Sequence, residues 1–158
     1  MPGVTKQELE AVVAIRIAGE KNGKTCLDRK KSMILTDQVK EEVLTWTAPE
    51  DGDYLLFFFW IHGTGQTAEP SVSTSYTINY IDRYGVEAFI DYWENMVLTP
   101  ELRKNVEENG RAMMYMDSLE LGTFGKGGQF WGYHFLEEFE KRRGYDLTPY
   151  LPLILKQP

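Results

Sequence analysis

Cysteine is nearly absent from this chain: Cys26 is the only one. No internal disulfide can form, and no second thiol completes a metal or redox motif. Cys26 lies in the polar stretch Gly23-Lys24-Thr25-Cys26-Leu27-Asp28, without the basic or helix-end surroundings that activate a thiol, so it reads as an ordinary surface or core residue. Histidine is scarce too, and His62 and His134 have no companion at metal-ligand spacing, which argues against zinc. Basic residues number 17 against 24 acidic ones, a net charge of −7. Such a surface repels phosphate backbones, and no basic patch interleaved with aromatics offsets it, so nucleic acid is not an expected partner. Long apolar runs are missing as well. The longest, Tyr54 to Ile61, has eight residues, where a membrane-spanning helix takes about 20. The opening Met1-Pro2-Gly3-Val4-Thr5-Lys6 runs directly into polar residues and carries no signal-peptide apolar core.

What is present is a globular composition: 158 residues, 42% hydrophobic and 13% aromatic, ample for a core. Strand signals dominate the first 65 residues or so, at Val12 to Ile17, Ser32 to Leu35, Val43 to Thr47 and Tyr54 to Ile61. They suggest a piece of an antiparallel β layer. Pro49-Glu50-Asp51-Gly52-Asp53 is a dense turn signal, and a hairpin joining the last two runs is expected there. The run Tyr54 to Ile61 does not alternate with polar residues, so as a strand it calls for cover on both faces. The loop from Gly63 to Ser71 marks a composition shift. It divides a β-rich segment, 1–68, from a second segment, 69–158.

In the second segment strand and helix signals alternate. Tyr76 to Tyr80 fits a short strand. Val86, Phe89, Ile90, Trp93 and Val97 share one helical face, predicting a helix from Arg83 to Val97. Pro100 opens a second helix over Glu101 to Glu108, closed by Asn109-Gly110, and a strand follows at Ala112 to Met116. Trp131, Phe135 and Phe139 then repeat every four residues before Lys141-Arg142-Arg143-Gly144, a basic helix end with a glycine stop. This order is that of a parallel sheet with covering helices. The fold class expected is α/β: a partial (β/α) barrel sector preceded by a β-rich antiparallel segment. A closed barrel typically takes about 250 residues, so the sector has sheet edges that other chain must cover, or through which the protein self-associates.

The chemistry-bearing string is Met113-Met114-Tyr115-Met116-Asp117-Ser118-Leu119-Glu120, an apolar run ending in two carboxylates. In parallel α/β barrels reaction chemistry sits where strands end, which makes Glu120 and Asp117 candidate catalytic residues. The plainer readings are a solvated loop acid for Glu120 and a turn or helix cap for Asp117. Trp131 offers a ring face for stacking on a sugar, although its spacing with Phe135 and Phe139 favours core packing. Arg142-Arg143 reads as a helix cap with ion pairs rather than an anion site. Gly125-Lys126-Gly127-Gly128 lacks the Gly-Lys-Ser/Thr ending of a phosphate loop and reads as a flexible loop, and Glu137, Glu138 and Glu140 form a solvated face.

Met116-Asp117-Ser118-Leu119-Glu120, Phe130-Trp131 and the run Phe139-Glu140-Lys141-Arg142-Arg143-Gly144-Tyr145-Asp146-Leu147-Thr148-Pro149-Tyr150-Leu151-Pro152 together resemble the barrel region of glycoside hydrolase family 106, the α-L-rhamnosidases. Upstream, Leu44-Thr45-Trp46-Thr47-Ala48-Pro49 with Gly52 is similar to that family's β-rich stretch, so the resemblance covers nearly the whole chain. It implies a long multidomain (β/α)8-barrel enzyme that removes terminal L-rhamnose with inversion, with calcium at the site and a rhamnoside as partner. This chain is then an internal fragment, itself without independent activity. Glu120 aligns with the Glu closing the family's Asp-Ser-x-Glu segment, one of two catalytic carboxylates, and Asp117 matches its first acid. An inverting pair stands about 6.5–9.5 Å apart, so the second member is expected elsewhere in the parent. The alternatives are a non-catalytic carbohydrate-binding or interaction module, or a truncated chain with no autonomous activity.

Overall fold

The computed structural model describes residues 7–67, 73, 75–113, 115 and 129–154. Among these, five strands form one three-stranded antiparallel sheet and one two-stranded ribbon. β1 (Gln7–Lys21) is the middle strand, flanked by β2 (Lys24–Ile34) and β5 (Tyr54–His62), and β3 (Val39–Lys40) pairs with β4 (Val43–Leu44). Centrality follows from composition: Ala11-Val12-Val13-Ala14-Ile15 is apolar at every position, and all five are buried. Only a strand covered on both faces accommodates such a run without exposing half of it.

β1 and β2 are joined by Asn22-Gly23, with φ of 54° and 71°, closing the Lys21–Lys24 pair. Both central residues need left-handed backbone in a two-residue hairpin turn, and Asn-Gly supplies it at least cost. This turn carries the first hairpin although no strand signal flanks it in the sequence. The hairpin expected at Pro49 to Asp53 is corrected by the pairing. β5 pairs with β1, placing Val13 opposite Phe57 and Ile15 opposite Leu55, and β4 pairs with β3. The turn residues instead lie over the end of β1, where Ile17 N–H donates to the Asp53 carbonyl at 2.9 Å. Val43 to Thr47 shortens to Val43–Leu44, and Tyr76 to Tyr80 forms no strand, only an isolated bridge from Tyr76 to Thr67.

Alternation along β1 divides the core in two. On one face Ala11 packs with Leu147 and Leu151, joined by Phe59, Trp131, Leu136, Phe139 and Tyr150. On the other, Val12, Ala14 and Leu35 pack with Leu9, Met33, Val39, Leu44 and Trp46. The chain's later residues are therefore fastened to its first strand. Ser32 on β2 adds a polar tie, its hydroxyl donating to the Pro149 carbonyl at 2.7 Å.

The helices are α1 (Arg83–Tyr92), running into a π-helical turn at Trp93–Val97, α2 (Pro100–Asn109), α3 (Phe135–Arg143) and the short α4 (Leu151–Ile154). Thr99 caps α2 by accepting from Leu102 N–H, and Gly110, at φ 59°, closes it. Gly144, at φ 77°, closes α3, and Arg142 pairs with Glu138 one turn back. These are the caps that Pro100, Asn109-Gly110 and Arg143-Gly144 signal in sequence.

Glu50, in the corrected turn, receives Lys31 Nζ at 2.5 Å and Arg16 Nη1 at 3.1 Å, so the ammonium and guanidinium tie the turn to β2 and β1. The Lys31 hydrogen bond, then the Lys31 and Arg16 charges, hold its carboxyl below the ordinary 4.5. A lowered folded value means the stabilisation is present above the ordinary glutamate range and fades as pH falls through the folded value. Carboxyl NMR titration is expected to find Glu50 below 4.5 in the native chain and shifted upward in Lys31→Ala. An unchanged value in the variant would remove Lys31 as the cause.

Candidate functional site

A polar junction forms where the chain entering α1 meets the chain entering α3. Asn79 Nδ2 donates to the Trp131 carbonyl at 2.7 Å, pinning the two segments together. Their approach is close at Gly132, where a Cβ would stand 3.0 Å from Asp82 Oδ2. Within the α1 segment itself, a Cβ on Gly85 would collide with the Asn79 backbone. Contact, not backbone angle, favours glycine at these positions.

Asp82 is the N-cap of α1: its Oδ1 accepts from Tyr84 N–H at 2.8 Å, and its carbonyl accepts from Val86 N–H at 3.1 Å. The residue is 5% exposed, and Oδ2 has no hydrogen-bond partner among the described residues. A buried acceptor left unpaired costs roughly 1–3 kcal/mol, although the N-terminal helix dipole offsets part of this for a carboxylate.

His134 is the N-cap of α3 and holds a left-handed backbone, φ 63°, uncommon for residues other than glycine. Its ring stands between Glu137 Oε2, 3.0 Å from Nδ1, and Tyr84 Oη, 3.5 Å from Nε2. Tyr133 meets Tyr84 edge to face, with ring centroids 6.0 Å apart. A carboxylate, an imidazole and a phenol therefore lie in a row on the exposed side of the junction. Such a row can hold and relay protons or bind hydroxyl groups. The sequence singled out His134 only as a poor metal ligand. Its partners Tyr84 and Glu137 are 50 positions away and one helical turn on, respectively, and the longer separation leaves no periodic trace.

Glu120 and Asp117 lie outside the described residues. Trp131 lies within them, before α3 and not on it as the four-residue spacing suggested. Its ring is half-buried against the Ala11, Leu147 and Leu151 cluster, 4.3 Å from the Phe135 centroid, and its Nε1 donates to Glu10 Oε1 at 3.0 Å. Glu10 faces it because β1 is irregular between Leu9 and Ala11. Among the described residues no three or more His, Cys, Asp or Glu side chains gather as a metal site. The calcium implied by the resemblance finds no assembled donor set among those residues. No helix among the described residues is long and apolar enough to cross a membrane.

The Trp131 contacts give two separable energies. Trp131→Phe, which keeps a ring but loses the Glu10 bond, is expected to lower unfolding free energy by about 1–2 kcal/mol. Trp131→Ala is expected to cost about 3 kcal/mol. Urea titration measures both, and an alanine variant as stable as the parent would contradict this packing.

No curated protein sequence and no solved structure gives a match to the chain. A family model does: that of glycoside hydrolase family 106, described as alpha-L-rhamnosidase, aligns with residues 7–157. That span includes both faces of the sheet, the α1–α3 junction and the Asp117–Glu120 string. The chain belongs to the α-L-rhamnosidase family of glycoside hydrolases.

Proposed function

We propose that this chain serves the hydrolysis of terminal α-L-rhamnosides with inversion, and that Glu120 is one of the two catalytic carboxylates. The observation that carries the reading is the family match over residues 7–157, which contains Met116-Asp117-Ser118-Leu119-Glu120. Inverting hydrolysis divides labour between one carboxylic acid, which protonates the departing glycosidic oxygen, and one carboxylate, which deprotonates water on the opposite sugar face. Glu120 takes one of those parts. Asp117, three positions earlier, is assigned to holding substrate or orienting the loop, because two acids so near in sequence do not readily flank a pyranose ring. The other catalytic carboxylate belongs to sequence outside this segment. The architecture that suits this chemistry is the partial (β/α) barrel sector expected from the sequence, with the acids following a strand's carboxyl end.

The α1–α3 junction supports a carbohydrate substrate on chemical grounds. Tyr84, Tyr133 and His134 present aromatic faces and hydroxyl-matching groups together, the combination that suits a sugar's apolar C–H face and its hydroxyl rim. Trp131 is less suited to stacking, since its ring and its indole N–H are engaged within the fold.

In an active rhamnosidase carrying this chain, Glu120→Gln is expected to lower kcat by about 10²- to 10⁴-fold, the usual contribution of a general acid or base. The unfolding midpoint should not move. Near-normal turnover of an aryl α-L-rhamnoside would refute the assignment. Rhamnoside binding that persists without turnover in the native protein would favour a carbohydrate-binding module instead.

A further inference from the structure

The row at the α1–α3 junction is tight at one end and slack at the other. Glu137 Oε2 stands 3.0 Å from His134 Nδ1, whereas His134 Nε2 stands 3.5 Å from Tyr84 Oη. The first contact is an ordinary hydrogen bond. The second is longer than a good bond between nitrogen and oxygen, roughly 2.7–3.2 Å, and among the described residues neither atom has a closer polar partner. Both atoms belong to side chains open to solvent, since Tyr84 is 57% exposed and the His134 side chain 56%. A ligand can reach them.

The carboxylate decides which ring nitrogen carries the hydrogen. A carboxylate only accepts, so the Glu137 contact needs a hydrogen on Nδ1, and in the uncharged imidazole Nε2 is then left with a lone pair and no hydrogen. Glu137 is a positioning residue that acts through this ring. Tyr84 supplies the opposite function: its phenol has one O–H to give, and Tyr133 meets its ring edge to face with centroids 6.0 Å apart. Tyr84 opens α1 and His134 caps α3, so the Asn79 bond to the Trp131 carbonyl, which joins the two segments, also brings this pair together.

An acceptor and a donor at this separation select the chemistry of what sits between them. One hydroxyl uses both functions at once, donating to Nε2 and accepting from Oη, with its oxygen about 2.8 Å from each. A carboxylate, a fully ionised phosphate or an ether oxygen brings no hydrogen for Nε2. Water fits as well, and a ligand hydroxyl that replaces it keeps both bonds.

We propose that His134 Nε2 and Tyr84 Oη together bind one hydroxyl of a neutral pyranoside, with Glu137 fixing the imidazole tautomer that accepts it. The pair is then a specificity determinant. It recognises a hydroxyl at one ring position and rejects the deoxy or O-methyl sugar there, because either change leaves an acceptor or a donor without its partner. Naming the sugar an α-L-rhamnoside rests on the function proposed above, whereas the hydroxyl site itself does not.

NMR on the full 158-residue chain tests the site without turnover. Long-range proton–nitrogen spectra are expected to find the His134 hydrogen on Nδ1, and Glu137→Gln to let the other tautomer appear, since an amide can also donate to Nδ1. Titration with methyl α-L-rhamnopyranoside is expected to move the His134 Nε2 signal. Tyr84→Phe, which keeps a ring against Tyr133, is expected to weaken binding about 3- to 10-fold, the worth of one neutral hydrogen bond. Among the monodeoxy rhamnosides one is expected to bind that much more weakly and to be indifferent to Tyr84→Phe, because the hydroxyl met by the phenol is already gone. A hydrogen on Nε2 in the native chain would overturn the inference. So would rhamnoside binding that leaves His134 unmoved and ignores Tyr84→Phe, an outcome in which the rhamnosidase reading survives. Movement of His134 by methyl α-D-mannopyranoside but not by the rhamnoside would keep the hydroxyl site and contradict that reading, and no movement with either sugar would remove the site.

Discussion

Burial of Ala11 to Ile15 on both faces is the constraint from which the rest of this structure follows. A strand buried at every position must be central, and a central strand needs a neighbour at each edge and a layer over each face. Asn22-Gly23 delivers β2 to one edge, and the tie from Ile17 to Asp53 helps set β5 at the other. One face is closed locally by Leu35, Val39, Leu44 and Trp46. The other is closed by residues more than a hundred positions away, Trp131 to Leu151. Ala11 matters for this last contact, since a small side chain at that position admits Leu147 and Leu151 close to the sheet.

That long-range closure also makes the α1–α3 junction. Because Trp131 is anchored by β1 and Glu10, the residues after it arrive at α3 with a fixed direction, and Asn79 draws the start of α1 against them. Gly132 permits the approach, and Gly85 lets the Asn79 backbone fold back onto α1. Two local costs are accepted there, the unpaired Asp82 oxygen and the left-handed His134. Departures of this sort concentrate where a protein meets its ligand, which fits a family that acts on carbohydrate.

Much of this was legible in the residues. Helix limits at Pro100, Gly110 and Gly144 could be read because capping is local chemistry, decided within one turn. β5 could be read because eight consecutive apolar residues have few other uses. Strand partnership could not. Pro49 to Gly52 is a sound turn, yet a turn signal does not state which strands it joins, and tertiary burial of β1 claimed β5. The Asn22-Gly23 hairpin was hidden by flanking charge, because Glu20, Lys21 and Lys24 suppress the apolar alternation that marks a strand. Trp131 was misassigned to a helix because its spacing to Phe135 imitates one turn, although the two rings meet through a bend. The family resemblance rested on strings of chemically unusual order, and the family match covers the same strings.

β1 binds the first and last parts of the chain into one cooperative unit. The direct test is equilibrium urea unfolding followed by NMR at two places, the Ile15 methyls in the sheet and the Leu151 methyls in α4. Both are buried, and they belong to parts of the chain far apart in sequence. One shared midpoint and one shared slope are expected for a single transition. A Leu151 transition completed at lower urea, with Ile15 still native, would show that the C-terminal segment is an independent attachment and would contradict the account.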